Sequence, residues 1–188
     1  MMGEIRLVSG TLRGRKLLAP EGGNTRPLLT RLRKSLVDIL RPRLRGAKVL
    51  DLFGGSGAIT FELLSGGAKK AVVVELDRDA ADLINKNADN LGVTIRVIPG
   101  DALKVAVRLD KASERFDIII VAPPYNMDLQ EAAMEVLSES ELLADEGLIV
   151  VQRDKRERFW EPRAPFVHYE TRSYGRTVFD FYERGEDS

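Results

Sequence analysis

Residues 49–58 read Val-Leu-Asp-Leu-Phe-Gly-Gly-Ser-Gly-Ala, and this stretch decides the fold class. The apolar residues before the glycines predict a buried strand, and a helix begins near residue 57. Glycines let the backbone take positive φ and approach a ligand closely, and the helix N-terminus behind them offers free N–H groups. The stretch therefore predicts a strand, a ligand-binding turn and a helix, with a turn that serves only packing as the alternative.

The same succession of strand, turn and helix continues along the chain. We predict strands at 47–53, 71–76, 95–99, 116–121 and 148–153, and helices near 57–65, 78–91, 102–112 and 128–143. The strands are near-continuous runs of Val, Ile and Leu, which is typical of a parallel sheet covered on both faces. After residue 163 the pattern alternates, and 166–172 with 177–183 predict a closing antiparallel hairpin.

The first 46 residues differ from the rest and predict a separate extension. Residues 4–8 and 14–18 predict a β-hairpin, and 19–28 predict a loop. Apolar residues at helical spacing predict a helix from Thr30 to Leu40, with Thr30 as its N-cap and Pro42 ending it. We therefore divide the chain into an extension, residues 1–46, and a body, residues 47–188.

Charge is distributed unevenly between these parts. Residues 1–48 hold 12 Lys or Arg against 3 Asp or Glu, so their net charge is +9. Because the whole chain has 29 residues of each sign, residues 49–188 carry −9. A basic arm on an acidic body indicates an anionic partner, with nucleic acid the leading candidate. The alternative is a solvated face that pairs with the acidic body.

Composition excludes several other classes. The chain has no cysteine, which excludes disulfides and thiolate metal sites, and its single histidine argues against a histidine-rich metal site. No apolar stretch approaches the roughly 20 residues that span a bilayer. The N-terminal residues Met-Met-Gly-Glu-Ile-Arg lack the apolar core of a signal peptide. We expect a cytoplasmic monomer with no metal and no membrane partner.

Acidic residues follow the ends of the first three strands of the body. Asp51 would repel a pyrophosphate but attract an ammonium group, such as that of S-adenosylmethionine. The dinucleotide pattern G-x-G-x-x-G is not met, because Thr60 stands where the third glycine belongs. An acid at Glu75 can accept both hydroxyls of an adenosine ribose. Asp101 is placed to take an adenine amino group, with the Ala102 N–H facing the ring, or equally to cap the next helix.

A second unusual stretch, Ala122-Pro123-Pro124-Tyr125, directly follows the fourth strand of the body. Proline fixes φ, lacks an N–H and keeps the preceding residue out of the helical region, so the segment is stiff and extended. Its carbonyl groups and aromatic ring suit a planar base whose amino group donates hydrogen bonds. Because the carboxyl ends of parallel strands form one crevice, we expect this corner and the three acidic residues to lie together.

These motifs together resemble the RsmD family of bacterial 16S rRNA guanine-N2 methyltransferases. The resemblance also covers residues 5–10, 13–17, 25–27, 31–33 and 174–177. It implies a Rossmann-like class I methyltransferase fold, with a mostly parallel seven-stranded sheet ending in an antiparallel hairpin and a small N-terminal β-hairpin and helix extension. It further implies S-adenosylmethionine as the cofactor and 16S rRNA in the small ribosomal subunit as the partner.

The resemblance implies roles for individual residues as well. The reaction is expected at Ala122, Pro123, Pro124 and Tyr125. The cofactor contacts are expected from Asp51, Phe53, Gly54, Gly55, Gly57, Glu75, Leu76, Asp101 and Ala102. The rRNA contacts are expected from Arg13, Arg15, Arg26, Arg31 and Arg33.

Two departures from the family pattern lie at functional places. The family carries Thr-Thr-Asp where this chain has Leu28-Leu29-Thr30, and its corner is Asp-Pro-Pro-aromatic where this chain has Ala122. In the family pattern the Asp side chain and a carbonyl of the Pro-Pro step accept the two hydrogens of guanine N2, and the aromatic ring stacks on the flipped-out base. Loss of one such acceptor lowers kcat by roughly 10²–10³, about 3–4 kcal/mol.

Three explanations of Ala122 stay open at this stage. Water or a polar group such as Asn126 replaces the carboxylate, the chain binds cofactor and RNA with little activity, or Ala122 is an introduced substitution. The rival functions are an RNA-binding module without cofactor and an amino-methyltransferase acting on adenine N6 or on glutamine. An NAD-dependent oxidoreductase is disfavoured by the absent third glycine and by the Pro-Pro-Tyr corner.

Overall fold

The computed structural model describes residues 2–21 and 27–186. Its strands are β1 (Gly3–Arg6), β2 (Lys16–Ala19), β3 (Lys48–Asp51), β4 (Lys70–Glu75), β5 (Arg96–Pro99), β6 (Phe116–Val121), β7 (Leu143–Asp154), β8 (Phe166–Tyr174) and β9 (Thr177–Arg184). Its helices are α1 (Pro27–Leu44), α2 (Ala58–Ser65), α3 (Arg78–Leu91), α4 (Ala102–Lys111) and α5 (Leu129–Ser138). No helix in these two ranges is both long enough and apolar enough to cross a membrane.

The body is built on a seven-stranded sheet with the order β5-β4-β3-β6-β7-β9-β8. Strands β3 to β7 pair in parallel, whereas β9 pairs antiparallel with both β7 and β8. This confirms the predicted mostly parallel sheet that ends in an antiparallel hairpin. The strand order reverses between β3 and β6, and Asp51 at the end of β3 pairs with Ile120, two residues before Ala122. The glycine-rich stretch and the Pro-Pro-Tyr corner therefore leave the sheet side by side at this switch point.

Both faces of the sheet are buried, which explains the continuous apolar strands. One face packs Ile119, Val121 and Ile149 against α4 and α5. The other packs Ile120 and Val150 against the apolar stripe of α1. The central strands β6 and β7 therefore send alternate side chains into two separate cores, which leaves 118–121 and 147–151 without a solvated polar residue.

Three elements, namely α1, α5 and β7, have boundaries that differ clearly from the predicted ones. Helix α1 begins at Pro27 and continues through Pro42 to Leu44. Pro27 stands in the first turn of the helix, where proline is favourable. Pro42 lies close to the C-terminal end of the helix, and its missing N–H removes only one backbone hydrogen bond. The fully buried Leu40 and Leu44 on either side of Pro42 keep the chain helical by packing. Helix α5 ends at Ser138 rather than near 143, and β7 begins at Leu143, which pairs with Phe116.

The N-terminal hairpin of β1 and β2 docks on the body. Ile5 and Leu17 pair across the hairpin and share a core with Phe61 of α2 and Ile84 of α3. Asn87 of α3 accepts from the Leu18 N–H and donates to the Leu18 carbonyl, both at 2.8–2.9 Å. The extension is therefore held against the same helices that follow the glycine-rich turn and β4.

Candidate active site

A pocket of about 460 Å³ opens at the switch point of the sheet. A volume of this size is typical of sites for small molecules. Its lining contains five of the residues expected to bind cofactor or base, namely Asp51, Phe53, Gly54, Gly55 and Ala122. Residues of the extension close the opposite side, namely Ile5, Pro20, Leu29, Leu32, Arg33 and Leu36. The pocket therefore lies between the body and the arm.

Asp51 is buried at the floor of this pocket, with 1% of its surface exposed. It accepts hydrogen bonds from the Thr60 hydroxyl at 2.8 Å and from the Phe53 N–H at 3.2 Å. Burial raises the pKa of Asp51 to about 6, although these two hydrogen bonds oppose the shift. At neutral pH the site thus holds a desolvated negative charge, and Asp51 forms no ion pair with any of the described residues. Thr60, which in the sequence only broke the dinucleotide pattern, is the residue that orients this carboxylate.

The glycine-rich turn is fastened to the end of β4. The Gly54 N–H donates to the Val74 carbonyl at 2.8 Å, and the Gly55 N–H donates to Glu75 Oε2 at 2.7 Å. A Cβ on Gly54 would lie 2.4 Å from Cγ1 of Val73, so the backbone comes closer to β4 than any side chain allows. The turn is therefore fixed beside Asp51 by its contacts with β4 and by the hydrogen bond from Gly55 to Glu75.

The remaining expected cofactor residues lie outside the pocket lining. Gly57 has φ 78° and packs against α2, where a Cβ would lie 2.9 Å from the Phe61 ring, so its glycine serves packing. Leu76 is 73% exposed beside Glu75, and Ala102 is buried. Asp101 caps α4 by accepting a hydrogen bond from the Lys104 N–H at 3.0 Å. This is the helix-capping role that the sequence offered as the alternative to binding adenine.

The Pro-Pro-Tyr corner is anchored to β7 and β9. The Tyr125 hydroxyl accepts from Nε2 of Gln152 at 2.9 Å and lies 3.3 Å from the Thr177 hydroxyl. Asn126 has φ 63° and its N–H donates to Glu157 at 2.6 Å, and it does not line the pocket. The polar side chain that does line the pocket beside Ala122 is Gln152. Sequence reasoning missed Gln152 because its proximity to Ala122 depends on the pairing of two distant strands.

The five arginines expected to contact rRNA differ in their exposure to solvent. Arg13, Arg15 and Arg31 are exposed, and Arg15 donates to the Asn90 carbonyl at 2.8 Å. Arg26 lies outside the described residues. Arg33, predicted as a surface contact for rRNA, is instead 8% exposed, lies 3.6 Å from the Glu62 carboxylate and donates to the Arg6 carbonyl. Burial lowers the pKa of Arg33, and Glu62 opposes the shift. Arg31 and Arg33 lie on different faces of α1, so that Arg31 is exposed and Arg33 points towards the core. This burial corrects the prediction that Arg33 is a surface residue.

The fold and the position of the crevice define a class I methyltransferase. At the level of the fold alone, the chain is similar to the solved 16S rRNA N2 G1207 methyltransferase of Thermus thermophilus, with a TM-score of 0.70 at 22% identity over 98% of this chain and 50% of that chain. The family model described as Conserved hypothetical protein 95 matches residues 5–183, and the chain belongs to this family.

Two relatives show the same membership over nearly the whole chain. Ribosomal RNA small subunit methyltransferase D of Escherichia coli is 32% identical over 183 residues, which cover 97% of this chain and 91% of the relative. The solved structure of yhhF from Escherichia coli has a TM-score of 0.86 at 30% identity and covers 98% of this chain and 100% of its own. The RsmD family predicted from the sequence is thereby confirmed.

Proposed function

We propose that the chain methylates rRNA of the small ribosomal subunit with S-adenosylmethionine, at the exocyclic N2 of a guanine. The observation that carries this proposal is that Asp51 and Ala122 line one pocket, so that a site for a cation and a site for a base adjoin. The name of the Escherichia coli relative supports rRNA of the small subunit as the substrate. The family resemblance further points to guanine 966 as the target.

The residues at the crevice fit S-adenosylmethionine. The desolvated carboxylate of Asp51 complements the ammonium group of its methionine part. Glu75 accepts one N–H on each oxygen, from Gly55 and Asp77, and a carboxylate has lone pairs left for the ribose hydroxyls. The exposed Leu76 beside it offers an apolar surface for the adenine ring. When bound, the cofactor supplies a methyl group on a positively charged sulfur.

The Pro-Pro-Tyr corner next to the pocket suits a flipped-out base, although Ala122 is the residue of the corner that lines the pocket itself. Tyr125 offers an aromatic face next to the stiff Pro123-Pro124 step, and its hydroxyl is held by Gln152 and Thr177. The Pro123 carbonyl is an acceptor for one hydrogen of the guanine amino group. Because both half-sites belong to rigid strand ends, they align the amino nitrogen with the methyl group without rearrangement of the fold.

Methyl transfer to unmodified small ribosomal subunits tests this function. We expect the chain to transfer one methyl group per subunit, and digestion of the product to release N2-methylguanosine. Naked 16S rRNA, run in parallel, shows whether the assembled subunit is required. Recovery of N6-methyladenosine would contradict the guanine assignment. Failure of S-adenosylmethionine to bind at millimolar concentration in calorimetry would instead favour an RNA-binding module.

Charge reversal on the arm tests the rRNA contact. Arg13 and Arg31 are exposed, and their guanidinium groups make no hydrogen bond or ion pair within the described ranges, so both are available to phosphates. We expect the double variant Arg13→Glu/Arg31→Glu to bind rRNA more weakly and to reduce the slope of log K against log salt by about 2. The matched control, Arg108→Glu/Lys111→Glu, makes the same charge change in the last turn of α4 and should leave the slope unchanged. Equal effects of both pairs would refute a specific role of the arm.

A further inference from the structure

We propose that Gln152 supplies the hydrogen-bond acceptor that Ala122 lacks, so that its side-chain oxygen binds the amino group of the target guanine. This inference rests on the proposed function. It assigns the acceptor to the neighbouring strand β7 rather than to the corner itself. Of the corner residues 122–126, Ala122 is the one that lines the pocket, so no polar side chain of the corner stands there in place of the missing carboxylate.

The register of the sheet places Gln152 directly beside Ala122. Val121 of β6 pairs in parallel with Val151 of β7, so the next residues along both strands are Ala122 and Gln152. Two residues earlier, Ile120 and Val150 both face the core under α1. Because side chains alternate along a strand, Ala122 and Gln152 project from this same face of the sheet. Both line the pocket.

The hydrogen bonds of Gln152 leave its oxygen available. Its nitrogen Nε2 donates to the Tyr125 hydroxyl at 2.9 Å, which fixes the orientation of the amide. Its oxygen Oε1 accepts no hydrogen bond within residues 2–21 and 27–186, and it is not a buried atom. On the far side, Gln152 pairs with Phe179 of β9, whose ring also lines the pocket. The amide is therefore held between the stacking tyrosine and an apolar wall, with its acceptor exposed.

An amide oxygen can perform the acceptor role without taking a proton. Gln152 Oε1 accepts one hydrogen of guanine N2, and the Pro123 carbonyl accepts the other. The N2 lone pair forms the bond to the methyl carbon as the carbon–sulfur bond breaks and its electron pair returns to sulfur. N2 then carries a positive charge and releases one proton to water. Gln152 thus orients N2 and stabilises its developing charge, as a preorganised dipole does.

A cycle of four proteins tests the assignment by single-turnover methyl transfer to small ribosomal subunits. We expect Gln152→Leu to slow the chain as given about 10²-fold, the effect of removing one preorganised group. In the Ala122→Asp background the same change should slow transfer less than about threefold, because the carboxylate then serves N2. Equal losses in both backgrounds would overturn the acceptor role and leave Gln152 as a support for Tyr125.

Binding without turnover provides an independent readout. Inosine lacks the 2-amino group, so an rRNA fragment with inosine at the target position, bound in the presence of S-adenosylhomocysteine, reports the contact to N2. The chain as given should prefer the guanine fragment about tenfold, and Gln152→Leu should abolish the preference. Tyr125→Phe removes the hydroxyl that orients Gln152 but keeps the acceptor, so it should reduce the preference less than Gln152→Leu does. A preference that survives in Gln152→Leu would overturn the proposal.

The Ala122→Asp protein separates this inference from the proposed function. We expect it to react within about tenfold of the chain as given, since a charge-assisted hydrogen bond is only about twice as strong as a neutral one. Methylation by Ala122→Asp with none by the chain as given would overturn the role of Gln152 and uphold the proposed function. If neither protein methylates the subunit, the proposed function fails and the inference with it.

Discussion

Replacing Asp51 by asparagine is expected to weaken S-adenosylmethionine binding about 100-fold at neutral pH and, at the same time, to stabilise the unliganded protein. The affinity falls because the ammonium group of the cofactor loses its charged partner in a buried site, where a broken ion pair costs several kcal/mol. Asparagine keeps the local geometry. Its oxygen can accept from the Phe53 N–H, and its nitrogen can donate to the Thr60 hydroxyl.

The stability gain has a defined pH range. The pKa of Asp51 is about 6 in the folded chain, against 3.8 for the unperturbed group. The folded state therefore binds more protons than the unfolded state between pH 3.8 and 6, and stability falls as the pH rises through this window. Above pH 6 the ionised carboxylate destabilises the fold by roughly 3 kcal/mol. Urea unfolding should show the full advantage of Asp51→Asn above about pH 6, and no advantage below the unfolded pKa of 3.8.

Cofactor binding should show the opposite dependence on pH. Below about pH 6 the carboxyl of Asp51 is protonated in the free protein, so the affinity of the chain as given falls about tenfold per pH unit. The affinity of Asp51→Asn should be flat across this range. Asp101→Asn is the matched control, because Asp101 is an exposed helix cap, and it should keep the pH dependence of the chain as given. Calorimetry that finds equal affinities for Asp51→Asn and the chain as given would contradict the role of Asp51.

The body of this fold could be predicted from sequence because its signals are local. A strand buried on both faces is a run of Val and Ile whatever its neighbours are, and the stretch 49–58 carries its own turn and helix start. Helix α1 shows where local signals fail. Pro42 is a stop signal in isolation, but the burial of Leu40 and Leu44 outweighs one missing hydrogen bond. Tertiary packing decided that boundary.

The candidate site was predictable only in part, for the same reason. Asp51 and Ala122 could be brought together from the rule that parallel strands share a carboxyl edge. Gln152 could not, since its place depends on the register of β7 against β6, which no local motif specifies. Arg33 was expected on the surface because charged residues of a helix usually face solvent. It lies one helical turn before the buried Leu36 and Val37, so its own position on the helix places it on the buried side, whereas Arg31 stays exposed.

The second large effect is expected at the buried ion pair of Glu62 and Arg33, which joins α2 to α1 of the N-terminal extension. Glu62 is fully buried in α2 and accepts from the Val8 N–H at 2.9 Å and from the Ser9 hydroxyl at 3.0 Å. Its carboxylate also lies 3.6 Å from the Nε atom of Arg33, and this nitrogen atom makes no hydrogen bond. Glu62→Ala leaves the buried guanidinium of Arg33 without a negative partner and leaves two donors without an acceptor, so we expect a loss of about 3–5 kcal/mol in the free energy of unfolding.

Two companion variants show which part of this loss is electrostatic. Glu62→Gln keeps an acceptor for the Val8 N–H and a donor for the Ser9 hydroxyl, and should lose only the attraction to Arg33. Glu62→Leu/Arg33→Met removes both charges and should recover much of the stability, because a buried pair replaced by apolar groups is often neutral. If urea unfolding shows the double variant to be less stable than Glu62→Ala, the ion pair is not what holds the extension in place.

The same variants should differ in rRNA binding. Since Arg33 and Ile5 line the pocket, Glu62→Ala should also weaken rRNA binding at temperatures where the body stays folded, whereas the double variant should restore it.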